Sequence, residues 1–183
     1  MPQITELLDA SRRGDAAAID RLFDLLYEDM RQLAHSRLRR SGNFTLLETT
    51  ALVHESYLRL IKSGSIEAKD KGHFMGYAAQ VMRSIVVDFV RRRSADRRGG
   101  DAVHVELDAA PQLPTDPRER EVLQVHEALE QLAAVDRHLA KVVEMRYFAG
   151  MTEPEVAEAL DRSIRSVARD WEKARLFLSV SLS

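Results

Sequence analysis

Residues 45–62 read Thr-Leu-Leu-Glu-Thr-Thr-Ala-Leu-Val-His-Glu-Ser-Tyr-Leu-Arg-Leu-Ile-Lys, and their apolar positions fall on two helical stripes rather than one. Leu46, Val53, Tyr57 and Leu60 form the first stripe. Leu47, Ala51, His54 and Leu58 form the second, again at spacings of three and four. An arc that wide is about twice what a single neighbouring surface needs. The pattern predicts a helix with one face on the protein's own core and a second face for a partner. A helix sunk in the middle of a bundle fits the periodicity equally well.

Working outward, the flanking residues punctuate this helix. Ser41-Gly42-Asn43 signals a turn, Thr45 with Glu48 three residues on reads as a capping box, and Ser63-Gly64-Ser65 ends the helix. Upstream, Leu7 and Leu8 start a helical rhythm that Ile19, Leu22, Phe23, Leu26, Met30, Leu33 and Leu38 continue; Gly14-Asp15 interrupts it, with Asp15 as N-cap of a long second helix. Downstream, His73, Phe74, Tyr77, Val81, Ile85 and Phe89 share one face of another long helix that runs into an arginine cluster and Gly99-Gly100.

The chain then changes character. Residues 99–117 contain Pro111, Pro114 and Pro117, few large apolar side chains and no helical period, which reads as a mobile interdomain linker. This divides the sequence into a helical bundle over 1–98 and a second helical unit over 118–183. The fold class expected is all-α: two small helical domains joined by a flexible linker.

In the second unit, Thr152 and Glu155 form a capping box, Val156 and Leu160 mark a short helix, and Asp161-Arg162 turns the chain. Ser163 caps a further helix whose buried face is Ile164, Val167, Trp171, Ala174 and Leu178. Two helices joined so tightly predict a helix-turn-helix, whose second helix enters the DNA major groove. Its outer face would present Arg162, Ser163, Arg165, Ser166, Arg169 and Lys173, side chains suited to base edges and phosphates. A plain helical hairpin with a solvated face is the alternative.

Composition narrows the possibilities further. The net charge of -2 excludes a general nucleic-acid coat, yet six arginines (Arg83, Arg91, Arg92, Arg93, Arg97 and Arg98) lie within twenty residues against Asp88 and Asp96, a local footprint for phosphate. With no cysteine there is no disulfide or thiolate metal site, which suits a reducing cytoplasm. No run approaches the roughly 18 apolar residues of a membrane span, and the amino terminus does not open a signal peptide. His35, His54, His73, His104, His126 and His138 lack ligand spacing, and no phosphate loop or nucleophile motif is present. Neither cofactor, metal nor catalysis is expected.

Leu52-Val53-His54-Glu55 and Tyr57-Leu58-Arg59-Leu60 resemble the core-binding helix of bacterial RNA polymerase sigma factors of the extracytoplasmic-function (ECF) class, and Glu144 to Phe148, Thr152 to Leu160 and Ser163 to Ala174 resemble their promoter-reading fourth domain. The resemblance implies an alternative sigma factor whose residues 1–98 bind the polymerase clamp and the proximal promoter element, and whose residues 118–183 read the distal one. It places polymerase contacts at Glu48, Thr50, Ala51, His54, Glu55 and Leu58, and proximal DNA contacts at Lys71, Phe74, Arg83, Arg91, Arg92 and Arg93. The loop 66–74 would capture an unpaired base, with Phe74 or Tyr77 stacking.

The sequence departs from that family at one point. Where the family carries acidic residues, this chain has Thr49, Thr50 and Ala51, leaving only Glu48 upstream. A phosphate on Thr50, or as second choice Thr49, would restore the charge, and so implies a Ser/Thr protein kinase as a further partner. Two other functions fit the residues: a helix-turn-helix regulator whose amino-terminal bundle senses a ligand or dimerises, and a helical protein-binding scaffold.

Overall fold

The computed structural model describes residues 4–40, 47–64, 66–97 and 116–183. Eight α-helices and no strand occur among them: α1 (Ile4–Arg12), α2 (Ala16–Arg40), α3 (Thr49–Ser63), α4 (Lys71–Asp96), α5 (Pro117–Val135), α6 (Arg137–Val143), α7 (Glu153–Leu160) and α8 (Ile164–Ser181). The first four pack on one another, with α2 against α1, α3 and α4; in the second group α6 and α8 pack together with α5 and α7 around them.

Local chemistry fixes the helix ends. The Asp15 carboxylate accepts from the Ala17 amide at 3.0 Å, opening α2 as the sequence predicts. Asp70 caps α4 through the His73 amide, and Gly64 closes α3 in the left-handed conformation, φ 71°, that glycine adopts without a Cβ penalty. Asp136 serves two helices: its own N–H donates to Leu132 O, and its carboxylate accepts from the amides of His138 and Leu139. One aspartate thus turns the chain between α5 and α6.

Three expectations need correction. Helix α3 starts at Thr49, with Glu48 as an N-cap that makes no side-chain capping bond, so the box expected from Thr45 does not open it; Thr45 itself lies outside the described residues. Helix α5 starts at Pro117, capped by Asp116, because a proline at the first helical position costs no hydrogen bond. The expected linker therefore gives up Pro117 to α5 and Asp116 to its cap, and its remaining residues, 99–115, lie outside the described residues. Finally, Ile164 is half exposed, and the inner face of α8 holds Asp170 beside Val167 and Ala174.

The two groups of helices share one core. Leu22, Leu26, Met30, Val53, Leu60, Phe74, Met82 and Val86 from the first belong to the same buried cluster as Leu129, Leu132, Val143, Phe148 and Ala174 from the second. A smaller core of Val142, Met145, Met151, Val156, Ala157, Ala159 and Val167 lies under α7 and α8. Helix α4 is the seam, in contact with α5, α7 and the residues that follow α6. Those residues, Glu144–Phe148, form a π-helical turn closed by the Ala149 amide on Glu144 O at 2.8 Å. The wider turn sends Glu144, Met145 and Phe148 inward. Gly76 of α4 makes room for it: a Cβ there would stand 3.1 Å from both Cγ and Cε of Met145.

Candidate functional site

Three surfaces carry the residues singled out by sequence. On α3 the inner face is Leu52, Val53, Ser56 and Leu60, all buried, with the Ser56 hydroxyl donating back to Leu52 O at 2.7 Å. Tyr57 sits at its edge, packed 4.4 Å from the Phe23 ring and donating to Asp20 at 2.5 Å. On the other side Glu48, Thr50, Ala51, His54 and Glu55 are exposed, and Leu58 is 51% exposed. Leu58 and, one turn on, Ile61 at 41% exposure are the large apolar side chains that α3 leaves in water. Arg59 beside it is held by Asp88 at 2.7 Å and Ser84 at 2.8 Å, and its Nε lies 4.0 Å from Glu55.

The residues expected at the proximal promoter element divide. Arg91 and Arg92 are exposed at the end of α4, and Lys71 is exposed while paired with Asp29 at 2.8 Å. Phe74, however, is 1% exposed and among the largest buried side chains, so it has no face open to a base; Ile66 and Ala68 of the neighbouring loop are buried with it. Tyr77 packs partly buried against the same core. Arg83 is 5% exposed and turned toward the second helical group. There its Nε donates to Glu144 at 2.7 Å, one Nη donates to His126 Nδ1, and the other to Glu130 at 3.3 Å. Arg93 and Arg97 likewise meet Glu119 of α5, which is fully buried.

Sequence reasoning missed the acidic half of this seam, Glu119 and Glu144, and also Arg37 of α2. Arg37 follows Leu33 and Ala34 at helical spacing, so an arginine inside an apolar stripe was the available signal. It is 5% exposed, with its guanidinium 3.8 Å from the Phe148 ring centroid. Burial, together with the neighbouring charges of Arg83 and Arg40 and against the pull of Glu144, lowers its pKa to about 9. Burial also pushes the Glu144 carboxyl up, outweighing Arg83 and Arg37, and lowers His126, where Arg83 adds to the effect. A neutral His126 is what Arg83 needs, since only an unprotonated Nδ1 accepts its bond.

The helix-turn-helix is built as the residues predict. Thr152 and Glu155 form a reciprocal capping box, Asp161 turns the chain in the left-handed region at φ 53°, and the Ser163 hydroxyl accepts from the Ser166 amide at 3.1 Å. Arg165, Arg169 and Lys173 are exposed and Ser166 is half-buried. Arg162 leans inward to Asp170, 3.5 Å away, which also bonds His138 at 3.1 Å. Trp171 is partly buried beneath the Arg146 guanidinium, 5.3 Å from its ring centroid.

An all-α chain that ends in a capped helix-turn-helix with arginines on its outer helix is a DNA-binding protein of the transcription apparatus. The family is more specific: the model for ECF sigma factors matches residues 1–183, and the chain belongs to that family. Its role is accordingly that of an alternative sigma factor in transcription initiation, with core RNA polymerase and promoter DNA as partners, and the family is not an enzyme class. No curated protein matches the chain. No helix among the described residues is long and apolar enough to cross a membrane, and no cluster of metal-binding side chains occurs among them.

Proposed function

We propose that this sigma factor docks on the polymerase clamp through Glu48, Thr50, Ala51, His54, Glu55 and Leu58, and that in the cytoplasm it is switched on by phosphorylation of Thr50, with Thr49 the second choice. The observation that carries the docking face is Leu58, exposed with Ala51 and His54 on the side of α3 away from its buried stripe. Phosphorylation has its own support. Thr49 and Thr50 occupy the first turn of α3, which contains no acidic residue and whose N-cap, Glu48, makes no side-chain bond to the free amides. A phosphate there meets the positive end of the helix dipole, worth roughly 0.3 to 1 kcal/mol, and supplies about 1.5 to 2 negative charges for arginines on a partner. Thr50 is the more exposed of the two.

On this reading residues 1–98 and 118–183 act as separate domains once bound. Arg91 and Arg92 face the proximal promoter element, joined by Arg83 and Arg93 when the seam parts. Arg162, Ser163, Arg165, Ser166, Arg169 and Lys173 face the distal one. The test compares wild type, Thr50→Ala, Thr50→Glu and Leu58→Glu, with and without Ser/Thr kinase treatment, for core polymerase binding and promoter-specific transcription. Kinase-dependent activity that Thr50→Ala loses and Leu58→Glu abolishes is the expected result. Full activity of unphosphorylated wild type would refute the switch, and undiminished polymerase binding by Leu58→Glu would refute the docking face.

A further inference from the structure

A cavity of about 180 Å³ opens where α2, α4, α5 and the π-helical turn meet. Four guanidinium groups line it, from Arg37 and Arg40 of α2, Arg83 of α4 and Arg118 of α5, with His126 beside them and Glu121 as the acidic lining residue. Arg83 is already engaged by Glu144 and Glu130. Arg37 is not matched in this way: its Nε, fully buried and closed to the cavity, has no hydrogen-bond partner, which leaves its terminal nitrogens as the donors for a bound anion. Its plane is nonetheless fixed by Phe148, and Arg40 lies 4.9 Å from the centroid of the Tyr147 ring. Two stacked arginines one turn apart on the same helix are held ready at a site that does not use all their donors.

Burying positive charge without enough negative charge is costly, and the lowered pKa of Arg37 is a sign of that cost. An oxyanion would offset it. Planar guanidinium groups match phosphoryl oxygens in geometry as well as charge. At roughly 30 Å³ per water in the liquid, the cavity holds the volume of about six waters, which suits one or two phosphoryl groups. We propose that this cavity binds a small phosphorylated anion, of the phosphate or pyrophosphate class, that clamps the two helical groups together. The anion bridges them because Arg37 and Arg40 belong to one and Arg118 to the other. The proposal goes beyond the promoter and polymerase surfaces and does not rest on them.

The same chemistry could arrive free or as the phosphate tail of a nucleotide. Full-length protein would therefore be titrated with sodium phosphate, sodium pyrophosphate and ATP, against sodium chloride of matched ionic strength, by calorimetry and thermal unfolding. Saturable one-to-one binding of pyrophosphate or ATP is expected, with a rise in melting temperature and slower hydrogen exchange in α4 and α5; the tighter of the two identifies the source. Arg40→Gln, at an exposed position that leaves the fold intact, should weaken binding roughly tenfold, and Arg37→Met should abolish it. Arg21→Gln, on exposed surface, should bind as wild type. No saturable binding above the chloride control would overturn the proposal. So would equal binding by Arg40→Gln, or displacement of pyrophosphate by duplex DNA of any sequence, which would make these arginines part of a nucleic-acid surface.

Discussion

Replacing Arg83 by Met separates two accounts of that residue. If Arg83 is a solvent-facing DNA contact, the change weakens promoter binding and leaves stability alone. If its place at the seam governs, Glu144 is left 7% exposed and without its nearest partner. Removing one member of a buried pair typically costs about 3 to 5 kcal/mol. Two features here pull that figure to its lower end. Arg37 still acts on Glu144, and the carboxyl, already pushed up by burial, can take a proton instead of remaining ionised. We therefore expect a loss of about 3 kcal/mol at pH 7.5, or about 6 to 12 °C in melting temperature for a chain of this size.

The loss should shrink as pH falls. A carboxyl whose folded pKa lies above its unfolded value costs stability while ionised, and that penalty fades as pH drops through the folded pKa. Glu144→Gln alone should cost less, about 1 to 2 kcal/mol, since Arg83 keeps Glu130 and His126. The double variant Arg83→Met/Glu144→Gln should lose about 2 to 3 kcal/mol rather than the roughly 4 to 5 of additive effects, a coupling energy of about 2 kcal/mol in urea unfolding. Additive single effects within about 0.5 kcal/mol, or an Arg83→Met loss that does not change between pH 7.5 and 5.5, would refute the reasoning.

Other expectations follow from the same geometry. Arg169→Ala and Arg165→Ala should each weaken distal-element binding by about 1 to 3 kcal/mol with unfolding unchanged; a gel-shift titration of the polymerase complex checks both. Trp171→Ala should cost about 2 to 3 kcal/mol, below the full core value because the ring is partly exposed, and thermal unfolding measures it. For His126, whose folded pKa is lowered, stability is full above the unfolded value near 6.5 and falls as pH drops below it. Arg83, Glu130, Arg91 and Asp88 set its field, and His126→Gln should flatten that part of the pH profile. Gly76→Leu drives a side chain into Met145, so it should part the seam and raise hydrogen exchange in α4 while α4 stays helical by circular dichroism.

Much of this architecture was legible from periodicity and caps. The two stripes of α3 resolve into a buried and an exposed face, and the capping box at Thr152 and the N-cap at Ser163 sit where their side-chain chemistry puts them. The seam was not legible, for a physical reason. A basic run looks the same in sequence whether it waits for phosphate or lies against carboxylates from residues some twenty to sixty positions on, and Arg83 with Glu144 is the second case. Phe74 shows the same limit: an aromatic on a core stripe and an aromatic aimed at a base share one spacing, and its burial assigns it to the core. Family resemblance supplied the candidate surfaces; only packing showed which of their residues are occupied.

The single core that runs through both helical groups bears on how long the protein lasts in a cell. If the two helical groups part on the polymerase, as proposed, they expose Phe148, Leu129 and their neighbours each time they do, and degradation machinery recognises such surface. Engagement with polymerase would shield it, whereas a molecule that opens without a partner would be removed. Turnover would then keep the pool of idle, open protein small, a limit on stray transcription that needs no dedicated inhibitor.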